Sequence, residues 1–147
     1  MAGKKSEKGM KSAKPTSSQQ QTHKAVSESL VGKAESIEPG KSARASLMTT
    51  REMAVDEKGL VHGGFTFGLA DYAAMLAVND PYVVLLASSA RFMKPVAVGD
   101  RLTAQAKLTG TEDNRRTVLC EVTNQNGTKV LEAEFLCMVL ERHVLER

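Results

Sequence analysis

The sequence predicts an α+β domain built from one long helix followed by antiparallel strands, and three observations carry that prediction. The stretch Val61–Val78 is apolar all round the helical wheel from Phe65 onward, the pattern of a helix buried on every side. After Pro81 the apolar residues turn to β-rich runs or two-residue alternation over Tyr82–Met93, Leu102–Thr109, Thr117–Thr123 and Val130–Leu140. Short breaks of Gly, Asn, Asp and Pro separate these runs, which suits neighbouring antiparallel strands wrapped against the helix.

Taken in order, Met1 to about Ser27 is rich in Lys, Ser and Gln and has no apolar periodicity, so residues 1–28 are expected to be a disordered tail and 29–147 the folded domain. The tail has no apolar segment of a secretory signal and lacks the arginines of a transit peptide. Its removal is expected to leave the stability of the domain unchanged. Ser29–Ile37 reads as a short strand or a helix. Glu38-Pro39-Gly40 is a turn, and Ala43, Ala45 and Leu47 then alternate with polar neighbours through Thr50 as a half-buried strand. Met53–Gly59 is a loop leading into the central helix, which Asp80-Pro81 closes, because proline disfavours a helical residue before it. Lys94-Pro95-Val96 and Gly99-Asp100 break the chain before Leu102, and Asn126-Gly127 is a two-residue hairpin signal before the last strand.

Composition narrows the function classes. At 147 residues the chain holds one domain with a real core, and 41% apolar with 25% charged residues places it among ordinary soluble proteins. The Val61–Val78 stretch contains His62, Asp71 and three glycines, so it does not read as a membrane span. The net charge of +3 belongs to the tail: residues 1–28 hold six lysines against Glu7 and Glu28, a net +4, which leaves −1 on the remainder. The tail reads as a solvated terminus or as a weak electrostatic arm, and nucleic acid is not expected as a partner of the near-neutral domain. Cys120 and Cys137 lie in strand-like contexts without metal-ligand spacing, so they are expected to be buried free thiols in a reducing cytoplasm, with no metal site.

The chemistry points to the helix. A carboxylate is rarely sunk in an apolar helix without a partner, which singles out Asp71 as a base or nucleophile. A helix starting at Gly63-Gly64 offers unpaired backbone N–H groups at its positive end, where a carbonyl can be polarised and an oxyanion held. Glycine lets a ligand approach that backbone closely. Eight residues of helix put Gly63 and Asp71 about 12 Å apart at 1.5 Å per residue, so one chain cannot bring both to one carbon. A symmetric dimer with antiparallel helices can. Arg91, on a mostly apolar strand, is either a charge partner of Asp71 or Asp56 or a side chain that snorkels to the surface.

The pattern Asp56-x5-His62-Gly63-Gly64-x4-Leu69-Ala70-Asp71-x-Ala73-x3-Ala77 resembles the signature of hot-dog fold thioesterases of the phenylacetyl-CoA thioesterase type, over roughly residues 40–140. Arg91-Phe92-Met93-Lys94-Pro95-Val96-x-Val98-Gly99-Asp100 is similar to a segment of the same superfamily. The resemblance implies a helix wrapped by a five- or six-stranded antiparallel sheet, paired into homodimers that often form tetramers. It implies hydrolysis of acyl-CoA thioesters, with coenzyme A entering as part of the substrate and no separate cofactor. By position, Asp71 resembles the catalytic carboxylate and Gly63 the residue whose N–H polarises the thioester. Asp56 resembles the side chain beside the attacking water, and His62 the residue shaping the oxyanion loop. Gly64 would line the substrate, and Ser88 or Ser89 would fill the place of a hydroxyl facing the acid. Arg115 and Arg116 stand where the family carries Gly-Arg or Gly-Lys near the CoA phosphates, though here the glycine is Asn114; they read equally as a solvated hairpin end. The Arg91–Asp100 segment also resembles the effector domain of a malonyl-CoA-responsive repressor, which keeps open a protein that binds acyl-CoA without hydrolysing it.

Overall fold

The computed structural model describes residues 20–146. Six strands, β1 Lys33–Glu38, β2 Ser42–Met48, β3 Val83–Phe92, β4 Arg101–Glu112, β5 Arg115–Thr123 and β6 Lys129–Val139, form one antiparallel sheet in the order β1-β2-β4-β5-β6-β3. The helix α1, Gly63–Val78, lies in the hollow of the sheet. Period-two patterning explains which side faces it: Ala43, Ala45 and Leu47 pair across with Ala106, Ala104 and Leu102 and are all buried. On β5 and β6 the same face carries Val118, Cys120, Val122, Leu131, Phe135 and Cys137, with the Phe67 ring 5.5 Å from that of Phe135. Alanines on β2 and β4 leave room for the helix, while the larger side chains of β5 and β6 fill the other half of the core. Both cysteines are free and buried, and burial pushes each thiol up to about 12, so neither is a ready nucleophile.

Ser29–Ile37, open between helix and strand, resolves as β1. It is entered through Gly32 at φ +145°, where a Cβ would stand 2.7 Å from the Leu69 side chain. Strand β4 runs past Thr109 to Glu112, and the two-residue connection falls at Asp113-Asn114, with Asp113 at φ +55°. The Asn126-Gly127 signal marks a real hairpin but not a two-residue one. Thr123 pairs with Lys129, and Asn124 Oδ1 accepts from the N–H groups of Asn126 and Thr128, organising a longer loop.

Two expectations need correction. The helix is not buried on every side: Leu69, Ala70 and Tyr72–Val78 are buried, but Gly64 is exposed and Gly68 and Asp71 are half-buried. These three lie at i, i+4 and i+7, one open stripe along the helix. The boundary at residue 28 is also too late. Gln20 and Thr22 are buried, and Gln20 Nε2 donates to Thr22 O at 2.9 Å, His23 O at 3.2 Å and Tyr72 Oη at 3.4 Å. Gln21 N–H donates to Oδ1 of Asn79, the left-handed residue capping the end of α1, at 2.8 Å. Burial against Tyr72 lowers the pKa of His23 below the usual histidine value. The disorder expected of residues 1–19 lies outside the described residues. Deletion through Glu28 is therefore expected to cost about 2 kcal/mol, since each buried hydrogen bond contributes about 1 kcal/mol and Tyr72 loses its cover. Thermal denaturation of the truncated chain checks this; an unchanged midpoint would return these residues to a tail.

Candidate functional site

The start of α1 is built by His62. Its backbone is extended at φ −61°, ψ 130°, and its Nδ1 accepts from Gly64 N–H at 2.8 Å, making the imidazole an N-cap. That bond fixes the ring's proton on Nε2 whenever the side chain is neutral. It also explains Gly64, because a Cβ there would lie 2.9 Å from His62 Nδ1. Phe65 N–H returns to His62 O at 3.1 Å. Gly64 therefore spends its N–H inside the chain, and what it offers a ligand is the close approach of a residue without a side chain. The N–H of Gly63 donates to no group among the described residues, so the first helical residue keeps the orphan donor. His62→Ala is expected to cost about 1 kcal/mol of stability. His62→Asn should recover most of it, because Asn caps equally well; urea denaturation of the pair makes the comparison.

Asp71 sits two turns along the open stripe. Its Oδ1 is buried with no hydrogen-bond partner among the described residues, and burial raises its pKa from 3.8 to about 6. Among the described residues no cation offsets that burial. Directly opposed residues of an antiparallel pair share a face, so Arg91, opposite Glu132, belongs to the outer face of the sheet, away from the helix. Arg91 is exposed and is not the partner of Asp71 within the chain. Ser88 and Ser89 are divided in the same way: Ser88 opposes the buried Phe135 on the helix side, and Ser89 opposes Glu134 outside. Only Ser88 shares a face with Asp71. The carboxylate lies close enough to Cys137 that its charge adds to burial in raising that thiol.

Asp56 is a turn residue: its Oδ1 accepts from the N–H groups of Lys58 at 3.0 Å and Leu60 at 3.2 Å. Arg115 and Arg116 stand at the β4–β5 hairpin. Arg115 opposes Met138 on the outer face, while Arg116 opposes Cys137 and donates through Nη1 to Asp113 O and Arg115 O at 2.8 and 3.0 Å. That hairpin lies toward the end of α1, whereas Gly63 faces the Phe92 ring at the opposite end of β3. One chain thus gathers His62 and Gly63 at one end, Asp71 in the middle and Arg116 toward the other. Among the described residues, no group of three His, Cys, Asp or Glu side chains is placed to hold a metal ion, and no helix is long and apolar enough to cross a membrane.

Sequence reasoning missed the wall beside Gly63. Leu60, Phe92, Pro95 and Val96 close a small apolar cavity there, with Thr66 of α1. Its signal was present in the motif Arg91–Asp100, which reads as a strand end but folds back over the start of the helix.

Comparison with known proteins agrees with this architecture. The thioesterase superfamily model matches residues 58–131, half of the chain, including all of α1 and β3. An uncharacterized protein of Pyrococcus horikoshii, PH1136, is similar in structure with a TM-score of 0.84 and 55% identity, covering 86% of this chain and 96% of that one. The PaaI protein of the E. coli phenylacetic acid degradation operon is similar at a TM-score of 0.71 and 26% identity, over 78% of this chain and 83% of that one. In sequence the chain is 42% identical to the methylthioribose-1-phosphate isomerase of Aquifex aeolicus over 119 residues, 81% of this chain but only 26% of that protein. It is 27% identical to the transcription factor FapR of a Geobacillus species over 71% of this chain and 52% of the factor. The chain therefore spans about a quarter of the one relative and half of the other. With a helix held in a six-stranded antiparallel sheet and the family model covering that helix and half of the chain, this chain is a hot-dog fold protein of the thioesterase superfamily.

Proposed function

We propose that the chain hydrolyses acyl-CoA thioesters at a site shared between two copies. The observation that carries this is Asp71, a carboxylate raised toward neutrality by burial, its Oδ1 without a hydrogen-bond partner among the described residues, on the open stripe of α1. An edge supports the pairing. β3 ends the sheet, and Leu85, Leu86 and Phe92 along it are 36%, 48% and 54% exposed. A long apolar edge of this kind calls for a partner strand. Two copies joined edge to edge about a two-fold axis would bring their helices together antiparallel along Gly64, Gly68 and Asp71, where the glycines allow close approach. Gly63 of one copy then meets Asp71 of the other, which resolves the separation of about 12 Å along one helix.

In that site the Gly63 N–H holds the thioester oxygen, and ionised Asp71 takes a proton from a water that attacks the carbonyl carbon. The new C–O bond places negative charge on the former carbonyl oxygen. Its collapse breaks the C–S bond, releasing the acid and the CoA thiolate, which regains the proton. Ser88, opposite Phe135 on the helix side of the sheet, would orient the water. Arg116 and Lys94 are the cations suited to the CoA phosphates.

The similarity to FapR favours a second reading, binding of acyl-CoA without hydrolysis. A panel of acyl-CoA thioesters separates the two when free thiol and thermal stabilisation are measured together. Thiol release with multiple turnovers supports the hydrolase, and stabilisation without release would leave the binding protein.

A further inference from the structure

We propose that the cavity beside Gly63 sets the acyl chain this protein accepts, and limits it to a short aliphatic group. This inference rests on the acyl-CoA reading above and names the substrate class within it. The cavity has a volume of about 130 Å³, and Leu60, Val61, Phe92, Pro95, Val96 and Thr66 form most of its wall, with Gly63 at its side. Lys94 also lines it; the rest of the wall but Thr66 is apolar, and Thr66 is itself buried. Pockets for drug-sized ligands run from about 300 to 1,000 Å³, so this one takes a much smaller group. It is also smaller than the apolar cavity of about 150 Å³ that takes a single benzene ring. A carbonyl held on the Gly63 N–H directs its acyl substituent to the mouth of this cavity. Acetyl to butyryl chains fit; an octanoyl chain or a phenylacetyl ring does not.

Phe92 is the residue that closes the space. An added Cβ on Gly63 would lie 3.6 Å from its ring, so ring and helix start are already near van der Waals contact. Phe92 and Leu60 are 54% and 42% exposed, so truncating either shortens the wall without emptying the core. Pro95 and Val96 belong to the segment behind them, where Val61 N–H bonds to Val96 O at 2.8 Å.

The test measures kcat/KM of the full-length protein for acetyl-, butyryl-, octanoyl- and phenylacetyl-CoA by thiol release. Each excess methylene in an apolar pocket discriminates by about 10-fold or more, so butyryl-CoA is expected to exceed octanoyl- and phenylacetyl-CoA by at least 100-fold. Phe92→Ala and Leu60→Ala should each narrow that ratio by about 10-fold. A wild-type preference for octanoyl- or phenylacetyl-CoA, or ratios unchanged in both variants, would overturn the assignment. Should no thioester turn over, hydrolysis falls and the cavity is judged by thermal stabilisation with the same four ligands. Greater stabilisation by butyryl- than by octanoyl-CoA then upholds it, and the reverse order overturns it.

Discussion

Asp71→Asn is expected to slow thioester hydrolysis by a factor on the order of 100 to 10,000, the usual cost of losing a general base, while leaving the protein folded. Asparagine keeps the shape and removes both the charge and the basicity. The stability change follows from the raised pKa, which lies at about 6 in the folded chain against 3.8 for an unburied carboxyl. The folded state binds this proton more tightly, so no cost is present at low pH. Stability falls as pH rises from about 4 to 6, and above 6 the full cost of the buried anion is carried. Asn carries none of it, so the variant should gain about 1–2 kcal/mol at pH 7, discounted because the carboxylate keeps some contact with water. That gain should vanish near pH 4. Wild-type kcat/KM should climb with pH through about 6 and then level off. Full activity in Asp71→Asn would remove the residue from the reaction, and lowered stability at pH 7 would identify it as a structural anchor.

Leu86→Lys should turn the protein into a folded monomer with at least 100-fold lower activity. Leu86 is the bulged residue of β3, between Leu85 and Ala87, and 48% exposed, so the substitution costs little within the chain. A lysine on an edge strand opposes pairing with another edge. Sedimentation at micromolar concentration and thiol release measure the two effects, and an active monomer would rule out the shared site. A sharper version uses two inactive proteins. Gly63→Pro removes the orphan N–H at the first helical position, where proline is well tolerated, and His62 already has the extended backbone that a following proline requires. Mixed dimers of Gly63→Pro with Asp71→Asn should regain one working site from the glycine of one copy and the aspartate of the other. Mixtures as inactive as their parents would show that both groups serve a site within one chain.

Most of the architecture was legible because its signals are local. Val61–Val78 announces a helix by its apolar run and by Asp80-Pro81, and Asp71 stands out because a charge in such a run is costly. What failed was set by tertiary context. Gln20 and Thr22 pack through hydrogen bonds to Tyr72, to backbone carbonyls and to the cap of α1, and no hydrophobic period records such contacts. The division of Ser88 from Ser89 and the placement of Arg91 depend on register with β6, which one strand's sequence does not state. The open stripe of the helix looks buried in sequence because glycine and alanine suit both a core and an interface between copies.

The strand order also constrains how the chain is made. Among the described residues β3 pairs only with β6, and β4 and β5 are synthesised between them. During translation Val83–Phe92 must therefore wait, unpaired on both sides, until the final strand leaves the ribosome. Throughout that interval an apolar ribbon is open to neighbouring nascent chains. Soluble yield should thus depend on how quickly the last strand follows, and slow codons within Lys129–Val139 should shift product into aggregates even though they change no residue.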